Sequence, residues 1–184
     1  YVFAGDHGIV TQGVSAYPKE VTYQMVFNFL RGGAGVNVFA RHVGAEVFVV
    51  DAGVDYDFED SPCLIKAKIG YGTRDFSIGP AMSMEEAQRC IDYGREIARQ
   101  AISQGADLLA VGDMGIGNTT TATAIAVGFG YDIDGILDIG TPIDSIALQN
   151  KRRAILKAME INRPDRTDAL DVLSKVGGYC IGEM

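Results

Sequence analysis

Short apolar runs, each followed by a stretch with helical periodicity, constrain the fold of this chain more than any other sequence feature. The runs at residues 1–4, 47–50 and 108–111 are partly β-branched or aromatic and do not alternate with polar residues. Such runs are typical of parallel strands that are covered on both faces. Because strands and helices alternate, we predict an α/β fold, an open, doubly wound, Rossmann-like parallel sheet with helices on both faces.

Six helices are predicted from the periodicity of the apolar residues. They cover residues 18–30, 35–43, 83–103, 118–127, 146–161 and 167–176. Ser83 and Glu86 have the spacing of a capping box, which marks the start of the third helix. Gly44 and Gly105 can end helices by adopting a positive φ. A short strand is also expected at residues 64–69, within a loop-rich segment.

The composition is that of one folded domain and argues against several classes of partner. Of the 184 residues, 47% are hydrophobic, which is enough for a single core domain covering residues 1–184. The formal charge of −8 and the lack of a Lys/Arg cluster argue against nucleic-acid binding, because phosphate backbones are held mainly by cations. Cys63, Cys90 and Cys180 form no CxxC pair, and no apolar segment is long enough for a membrane span. We therefore expect a cytoplasmic protein that binds no membrane.

A glycine-rich turn between the predicted strand at 108–111 and the predicted helix at 118–127 is the most informative segment. It contains Gly112, Asp113, Gly115, Ile116, Gly117, Asn118 and Thr119. Glycines let a backbone approach an anion closely, and the free N–H groups and positive dipole end of a helix attract phosphate. We predict a phosphate-binding turn in which Asn118 and Thr119 add side-chain donors.

Two better-known phosphate motifs do not fit this turn. Gly112 and Thr119 have the spacing of a P-loop, but Asn118 stands where the lysine belongs. The dinucleotide-binding pattern lacks its third glycine after Gly117. A turn that only joins strand to helix is the structural alternative. Asp113 favours a ligand site, because a carboxylate at the carboxyl end of a strand points into the usual crevice of an α/β sheet.

Other candidate residues follow the first predicted strand. Asp6 and His7 would lie at the same sheet edge as the glycine-rich turn, where they could orient or ionise a ligand. A turn in which Asp6 only bonds the backbone is equally favoured. Tyr17, Gln24 and Met25 could form the wall of a pocket for a flat base, and Met25 could equally belong to the core.

A second strand-to-turn step contains Gly140 and Thr141, and the helix after it carries Lys151. Lys151 could bind a phosphate as a point charge, while a solvated helix face shared with Arg152 and Arg153 is the alternative. No metal is expected, because the two histidines of the chain are isolated and lack ligand spacing.

Five segments, in this order, resemble the nicotinate-nucleotide:dimethylbenzimidazole phosphoribosyltransferases. They begin at Asp6 (DHGI), Gly13 (GVSAYP), Gly79 (GPAM), Gly112 (GDMGIGNTT) and Asp171 (DVLSKVGG). The resemblance implies transfer of the phosphoribosyl group of nicotinate mononucleotide to 5,6-dimethylbenzimidazole. The products are α-ribazole 5'-phosphate, used for the lower ligand of cobalamin, and nicotinate. It also implies a homodimer without cofactor or metal, and a smaller helical domain that is largely missing from these residues.

The resemblance further implies roles for the candidate residues. The phosphate would be held by Gly115, Ile116, Gly117, Asn118, Thr119, Gly140, Thr141 and Lys151. The base pocket would include Tyr17, Gln24 and Met25, together with Asp6 and His7. Asp113 occupies a position where the family usually has glutamate, so its carboxylate reaches one methylene less far.

The family's main general base is a glutamate that lies beyond the Gly177-Gly178 segment of this chain. The chain begins inside an apolar run and stops at a turn, so we expect a fragment that is truncated at both ends. We predict little or no transferase activity from these residues alone, measured as release of nicotinate. Turnover comparable to that of a full-length relative would contradict this.

Two other functions stay open on the sequence. A non-catalytic nucleotide-binding or regulatory module of the same fold would bind nucleotide without turnover. An unrelated sugar-phosphate enzyme on a similar sheet is the second alternative, because a fold alone does not determine function.

Overall fold

The computed structural model describes residues 1–138 and 145–184. Within these residues, a four-stranded sheet has the order β3-β2-β1-β4. The strands are β1 (Val2–Gly5), β2 (Val49–Gly53), β3 (Leu64–Lys66) and β4 (Gly112–Met114). Each neighbouring pair is parallel, which confirms the predicted open parallel sheet.

Helices connect and follow these strands. In the described part of the chain they are α1 (Val21–Leu30), α2 (Gly35–Val43), α3 (Met84–Ser103), α4 (Asn118–Gly128), α5 (Ile133–Ile136), α6 (Ser145–Asn162), α7 (Ala169–Val176) and α8 (Tyr179–Glu183). All six predicted helices are present, although α1 begins at Val21 and not at Pro18. The sequence did not predict α5, α8 or the 3-10 helix Gly8–Gln12, because each is too short to show a periodicity. No helix among the described residues is both long and apolar enough to cross a membrane.

The capping box predicted at the start of α3 is confirmed. The Ser83 hydroxyl accepts from the Glu86 N–H at 3.0 Å, and the Glu86 carboxylate accepts from the Ser83 N–H at 2.6 Å. These two bonds satisfy backbone donors that the helix itself leaves unpaired. Gly44, with a φ of 73°, ends α2 in the predicted left-handed conformation.

Helices cover both faces of the sheet, as predicted. Successive residues of a strand point to opposite faces. Ala4 packs with Val26 of α1 on one face. Phe3 packs on the other face with Cys90 of α3 and Cys180 of α8. The strands β1 and β2 are therefore buried on both sides, in agreement with their continuous apolar sequences.

The strand predicted at residues 108–111 is wrong by four positions. Val2 of β1 pairs with Gly112, and residues 108–111 are not part of a strand. Leu108 is 89% exposed and Val111 is 57% exposed. The Ala110 carbonyl accepts a hydrogen bond from the amino group of Tyr1, at 2.9 Å. The register with β1, which the local sequence does not show, decides where β4 begins.

The strand order reverses at β1, and this reversal positions the candidate site. The chain moves outward from β1 to β2 and β3, and then returns to place β4 on the other side of β1. In open α/β sheets, ligands bind at the carboxyl ends of the strands where the order reverses. Asp6 and His7 follow β1, and the glycine-rich turn follows β4. The fold therefore brings two of the predicted site segments to one corner of the sheet.

Candidate functional site

The glycine-rich turn joins β4 to the N-terminus of α4, and Gly115 and Gly117 have different roles in it. Gly117 precedes α4 with a φ of 93°, in the left-handed region that favours glycine. At Gly115, an added Cβ would lie 2.1 Å from the carbonyl oxygen of Gly5 and 2.9 Å from the His7 ring. Gly115 is therefore required by the protein's own backbone, whereas the sequence suggested only the approach of an anion.

Some amide groups of this turn already have acceptors within the protein. The Ile116 amide donates to Thr22 Oγ1 at 3.1 Å, and the Asn118 amide donates to the Gly115 carbonyl at 2.9 Å. The Thr119 amide donates to Oδ1 of Asn118 at 2.8 Å. The amides of Gly115 and Gly117 donate to no residue that the structure describes. Of the backbone amides named here, those of Gly115 and Gly117 are therefore the two that could still donate to an anion.

Asn118 and Asp113 bond each other across the turn. The amide nitrogen of Asn118 donates to Oδ1 of Asp113 at 3.1 Å. Partial burial raises the pKa of the Asp113 carboxyl, and the bond from Asn118 opposes this shift. Asp113 lies at the carboxyl end of β4, as predicted. The Asn118 side chain holds Asp113 and the Thr119 amide, and its predicted role as a donor to an anion stays a prediction.

Lys151 lies beside the turn, although α6 is distant from it in sequence. Its Nζ donates to the Thr119 hydroxyl at 3.0 Å and to the Asp138 carbonyl at 2.8 Å. The residue is 1% exposed, and burial lowers the pKa of its ammonium group. Arg152 and Arg153 are exposed on the same helix. The structure thus brings together Lys151 and Thr119, two of the residues predicted for phosphate binding. Gly140 and Thr141 lie outside the described residues.

Asp6 has a structural role in the turn after β1. Its Oδ2 accepts from the Asp55 N–H at 2.8 Å, and its backbone carbonyl accepts from the Thr73 N–H at 3.0 Å. Desolvation raises the pKa of the Asp6 carboxyl, and the bond from Asp55 opposes the shift. These bonds match the backbone-bonding alternative drawn from the sequence, while Asp6 Oδ1 is buried without a partner among the described residues, and the ligand role stays a prediction.

His7 is buried in a polar cluster that the sequence did not reveal. Its Nδ1 is 3.0 Å from the Thr121 hydroxyl, and its Nε2 is 3.5 Å from Sγ of Cys180. Sγ of Cys180 is also 3.9 Å from Oδ2 of Asp113. Burial lowers the pKa of His7 to about 4, so the imidazole is neutral near pH 7. The sequence interpretation that the histidines are isolated is thus incomplete, because the fold brings a cysteine and an aspartate to His7.

The three residues predicted to flank a flat base occupy different environments. Tyr17 is 47% exposed, and Gln24 is also exposed. Helical geometry turns Gln24 away from Thr22, whose hydroxyl contacts the glycine-rich turn, whereas Met25 lies on the same side as Thr22. Met25 is half-buried, and its sulfur lies 3.9 Å from the Asn28 amide nitrogen. Of these three residues, Met25 is the best placed to reach a ligand at the corner.

Known proteins resemble this chain along its whole length. A family model described as phosphoribosyltransferase matches residues 1–184. A nicotinate-nucleotide:dimethylbenzimidazole phosphoribosyltransferase of Geotalea uraniireducens is 56% identical over 179 residues, which are 97% of this chain and 51% of that protein. A protein of the same name from Desulforamulus reducens is 50% identical over 184 residues, covering 100% of this chain and 52% of the relative.

A solved structure shares the fold. The crystal structure of CobT from Thermus thermophilus has a TM-score of 0.94 and 47% identity, and the match covers 99% of this chain and 55% of that one. The chain therefore spans about half the length of the curated relatives that it matches.

Proposed function

Because this chain belongs to the nicotinate-nucleotide:dimethylbenzimidazole phosphoribosyltransferase family, we propose that it forms the nucleotide-binding core of an enzyme with that activity. The enzyme would transfer the phosphoribosyl group of nicotinate mononucleotide to 5,6-dimethylbenzimidazole. The products would be α-ribazole 5'-phosphate, for the lower ligand of cobalamin, and nicotinate. The homodimer implied by the sequence resemblance stays a prediction.

The position of Lys151 is the observation that carries this proposal. Its buried ammonium group contacts Thr119 in the first turn of α4, at the corner where the strand order reverses. The positive end of the α4 dipole and the Gly117 amide lie at the same place. A helix N-terminus with a neighbouring cation is a suitable site for a dianionic phosphate group.

Phosphate binding at this corner would position the sugar for displacement at its anomeric carbon. A ring nitrogen of the benzimidazole forms a bond to that carbon, and the bond from the carbon to the pyridinium nitrogen breaks. The proton on the other benzimidazole nitrogen passes to a general base, the role that the sequence resemblance gives to a glutamate beyond Gly178. The electron pair of the broken bond makes the pyridinium ring neutral, and nicotinate leaves. Holding both reactants in one geometry lowers the barrier of such a step. Asp113 lies near the corner, and we propose that its negative charge stabilises the cationic nucleotide.

Replacing Lys151 with methionine should weaken the binding of nicotinate mononucleotide by about 10- to 100-fold, because a hydrogen bond to a charged group contributes about 1.5–3 kcal/mol. Methionine has a similar length, so the core around α6 should remain packed. Isothermal titration calorimetry measures the affinity. The same titration with nicotinate riboside, which lacks the phosphate, should show no effect of the substitution.

Lys157→Met is the matched control, because Lys157 is exposed on the same helix. It removes an equal charge away from the corner and should leave the affinity unchanged. If the native protein binds the riboside as tightly as the mononucleotide, or if both variants lose affinity equally, the phosphate site is not at Lys151.

A further inference from the structure

Three side-chain atoms of the kinds that bind metal ions converge beneath the glycine-rich turn. They are Nε2 of His7, Sγ of Cys180 and a carboxylate oxygen of Asp113, and all lie within 4.8 Å of one another. His7 follows β1, Asp113 lies in β4 and Cys180 lies in α8. Three separate elements therefore deliver one nitrogen, one sulfur and one oxygen to the same point.

Hydrogen bonds alone do not use all the lone pairs that meet here. Sγ of Cys180 is 3.5 Å from Nε2 of His7 and 3.9 Å from Oδ2 of Asp113. A thiol has a single proton, so it can donate to only one of these two acceptors at a time. A cation, in contrast, accepts a lone pair from all three atoms at once.

The separations fit a tetrahedral ion. Zinc binds sulfur at about 2.3 Å and imidazole nitrogen at about 2.0 Å, which places neighbouring ligand atoms about 3.5 Å apart. The observed distances from Sγ of Cys180 to His7 and Asp113 are 3.5 and 3.9 Å. The ligand atoms of His7 and Asp113 lie within 4.8 Å of each other.

Additional contacts orient the side chains at this point. The Thr121 hydroxyl lies 3.0 Å from Nδ1 of His7 and 3.4 Å from the Gly117 carbonyl, so it fixes the orientation of the imidazole. In the tautomer with its proton on Nδ1, Nε2 presents its lone pair to Cys180. Asn118 donates to Oδ1 of Asp113, which leaves Oδ2 on the side of Cys180. Metal-binding imidazoles and carboxylates are commonly oriented by such outer hydrogen bonds.

Two glycines hold the imidazole in a narrow slot. An added Cβ would lie 2.9 Å from the His7 ring at Gly115 and 2.5 Å from it at Gly178. The ring is thus confined between two backbone segments. A confined ligand loses little freedom when a metal ion binds, which favours a preformed site.

We propose that Cys180, His7 and Asp113 form a binding site for Zn²⁺ or a related thiophilic divalent cation. Thiolate and imidazole ligands favour such ions, whereas Mg²⁺ and Ca²⁺ prefer oxygen ligands. On binding, the thiol releases its proton to solvent, and each of the three residues donates a lone pair to the ion. Three protein ligands leave a fourth position for water or for an oxygen atom of a molecule at the corner. The site depends on the packing of these residues and not on the transferase activity proposed above.

Co²⁺ is a spectroscopic probe that tests this site. In the purified protein without nucleotide, we expect one equivalent of Co²⁺ to give a thiolate-to-cobalt charge-transfer absorption in the near ultraviolet, and Zn²⁺ to displace it. Cys180→Ser should lose this absorption and bind Co²⁺ more weakly by about tenfold or more. The matched control removes the other two thiols, as Cys63→Ser combined with Cys90→Ser, and should retain the absorption.

A second variant keeps the test decisive if Cys180→Ser does not fold. Asp113 is only half-buried, and Asp113→Asn should keep the charge-transfer absorption while weakening Co²⁺ binding by about tenfold. The proposal would be overturned if the native protein showed no absorption or if a folded Cys180→Ser variant kept it. It would also be overturned if the double cysteine control lost the absorption or if Asp113→Asn bound Co²⁺ with unchanged affinity. Because no nucleotide is present in these titrations, such a failure leaves the Lys151 test of nucleotide binding unaffected.

Discussion

Replacing Glu183 with glutamine should stabilise the protein at neutral and alkaline pH and remove the loss of stability that ionisation of this carboxyl causes as the pH rises. Glu183 is 3% exposed, and neither carboxylate oxygen has a hydrogen-bond partner in the described part of the chain. Burial, with a smaller effect of the Asp51 charge, raises the pKa of Glu183 from 4.5 to about 9. Glutamine keeps the shape of the side chain but cannot ionise.

The sign of this effect follows from the two pKa values. The folded protein keeps the proton on Glu183 up to about pH 9, whereas the unfolded chain loses it near pH 4.5. The stabilising contribution of the neutral carboxyl is therefore fully present below pH 4.5, and it is lost as the pH rises towards 9. One pKa unit corresponds to about 1.4 kcal/mol, so the loss at pH 7 is roughly 3 kcal/mol.

Urea denaturation of the native protein and the Glu183→Gln variant at pH 5 and pH 8 measures this difference. Between pH 5 and pH 8 we expect the native protein to lose stability relative to the variant, while His7, whose pKa is lowered to about 4, favours the folded state more as the pH rises and does so equally in both proteins. Glu160→Gln, on the exposed face of α6, is the control and should leave the native pH dependence in place. An unchanged pH dependence in Glu183→Gln would show that this carboxyl is ionised in the folded protein.

The elements that the sequence predicted well are those whose signals are local. The capping residues Ser83 and Glu86 mark the start of α3 in both the sequence and the structure. The run at 108–111 has an equally clear local signal for a strand, yet β4 begins at Gly112. Pairing with β1 decides the position of β4, and such a register depends on residues more than a hundred positions apart.

The candidate site also has a part that the local sequence predicts and a part that it does not. The carboxylate of Asp113 at the end of a strand, and the glycines after it, could be predicted because a strand, a turn and a helix follow one another in sequence. The contact between His7 and Cys180 could not, since 173 positions separate the two residues. Cys180 also lies in α8, a helix of five residues whose short sequence gives no periodic pattern. The cluster is created by the packing of α8 against the sheet.

Among substitutions that add one methyl group at the corner, Gly115→Ala should destabilise the protein most. The new Cβ would lie 2.1 Å from the carbonyl oxygen of Gly5, and neither backbone can move away without separating β4 from β1. Overpacking a core usually costs about 1–3 kcal/mol, and a contact between two backbones belongs at the upper end of that range. We expect Gly115→Ala to lower the free energy of unfolding by about 3 kcal/mol and to abolish binding of nicotinate mononucleotide.

Gly112→Ala is a control on the same strand, because an added Cβ at Gly112 meets no atom within 4 Å. Its φ is not among the positive values, so alanine can adopt the same backbone conformation. Alanine restricts the unfolded chain more than glycine does, so this variant should be unchanged or more stable by up to about 1 kcal/mol. Denaturation and calorimetry of the two variants separate an effect of the corner from a general cost of a methyl group in β4. Equal stability of Gly115→Ala and Gly112→Ala would mean that β1 and β4 are not held as closely as this geometry requires.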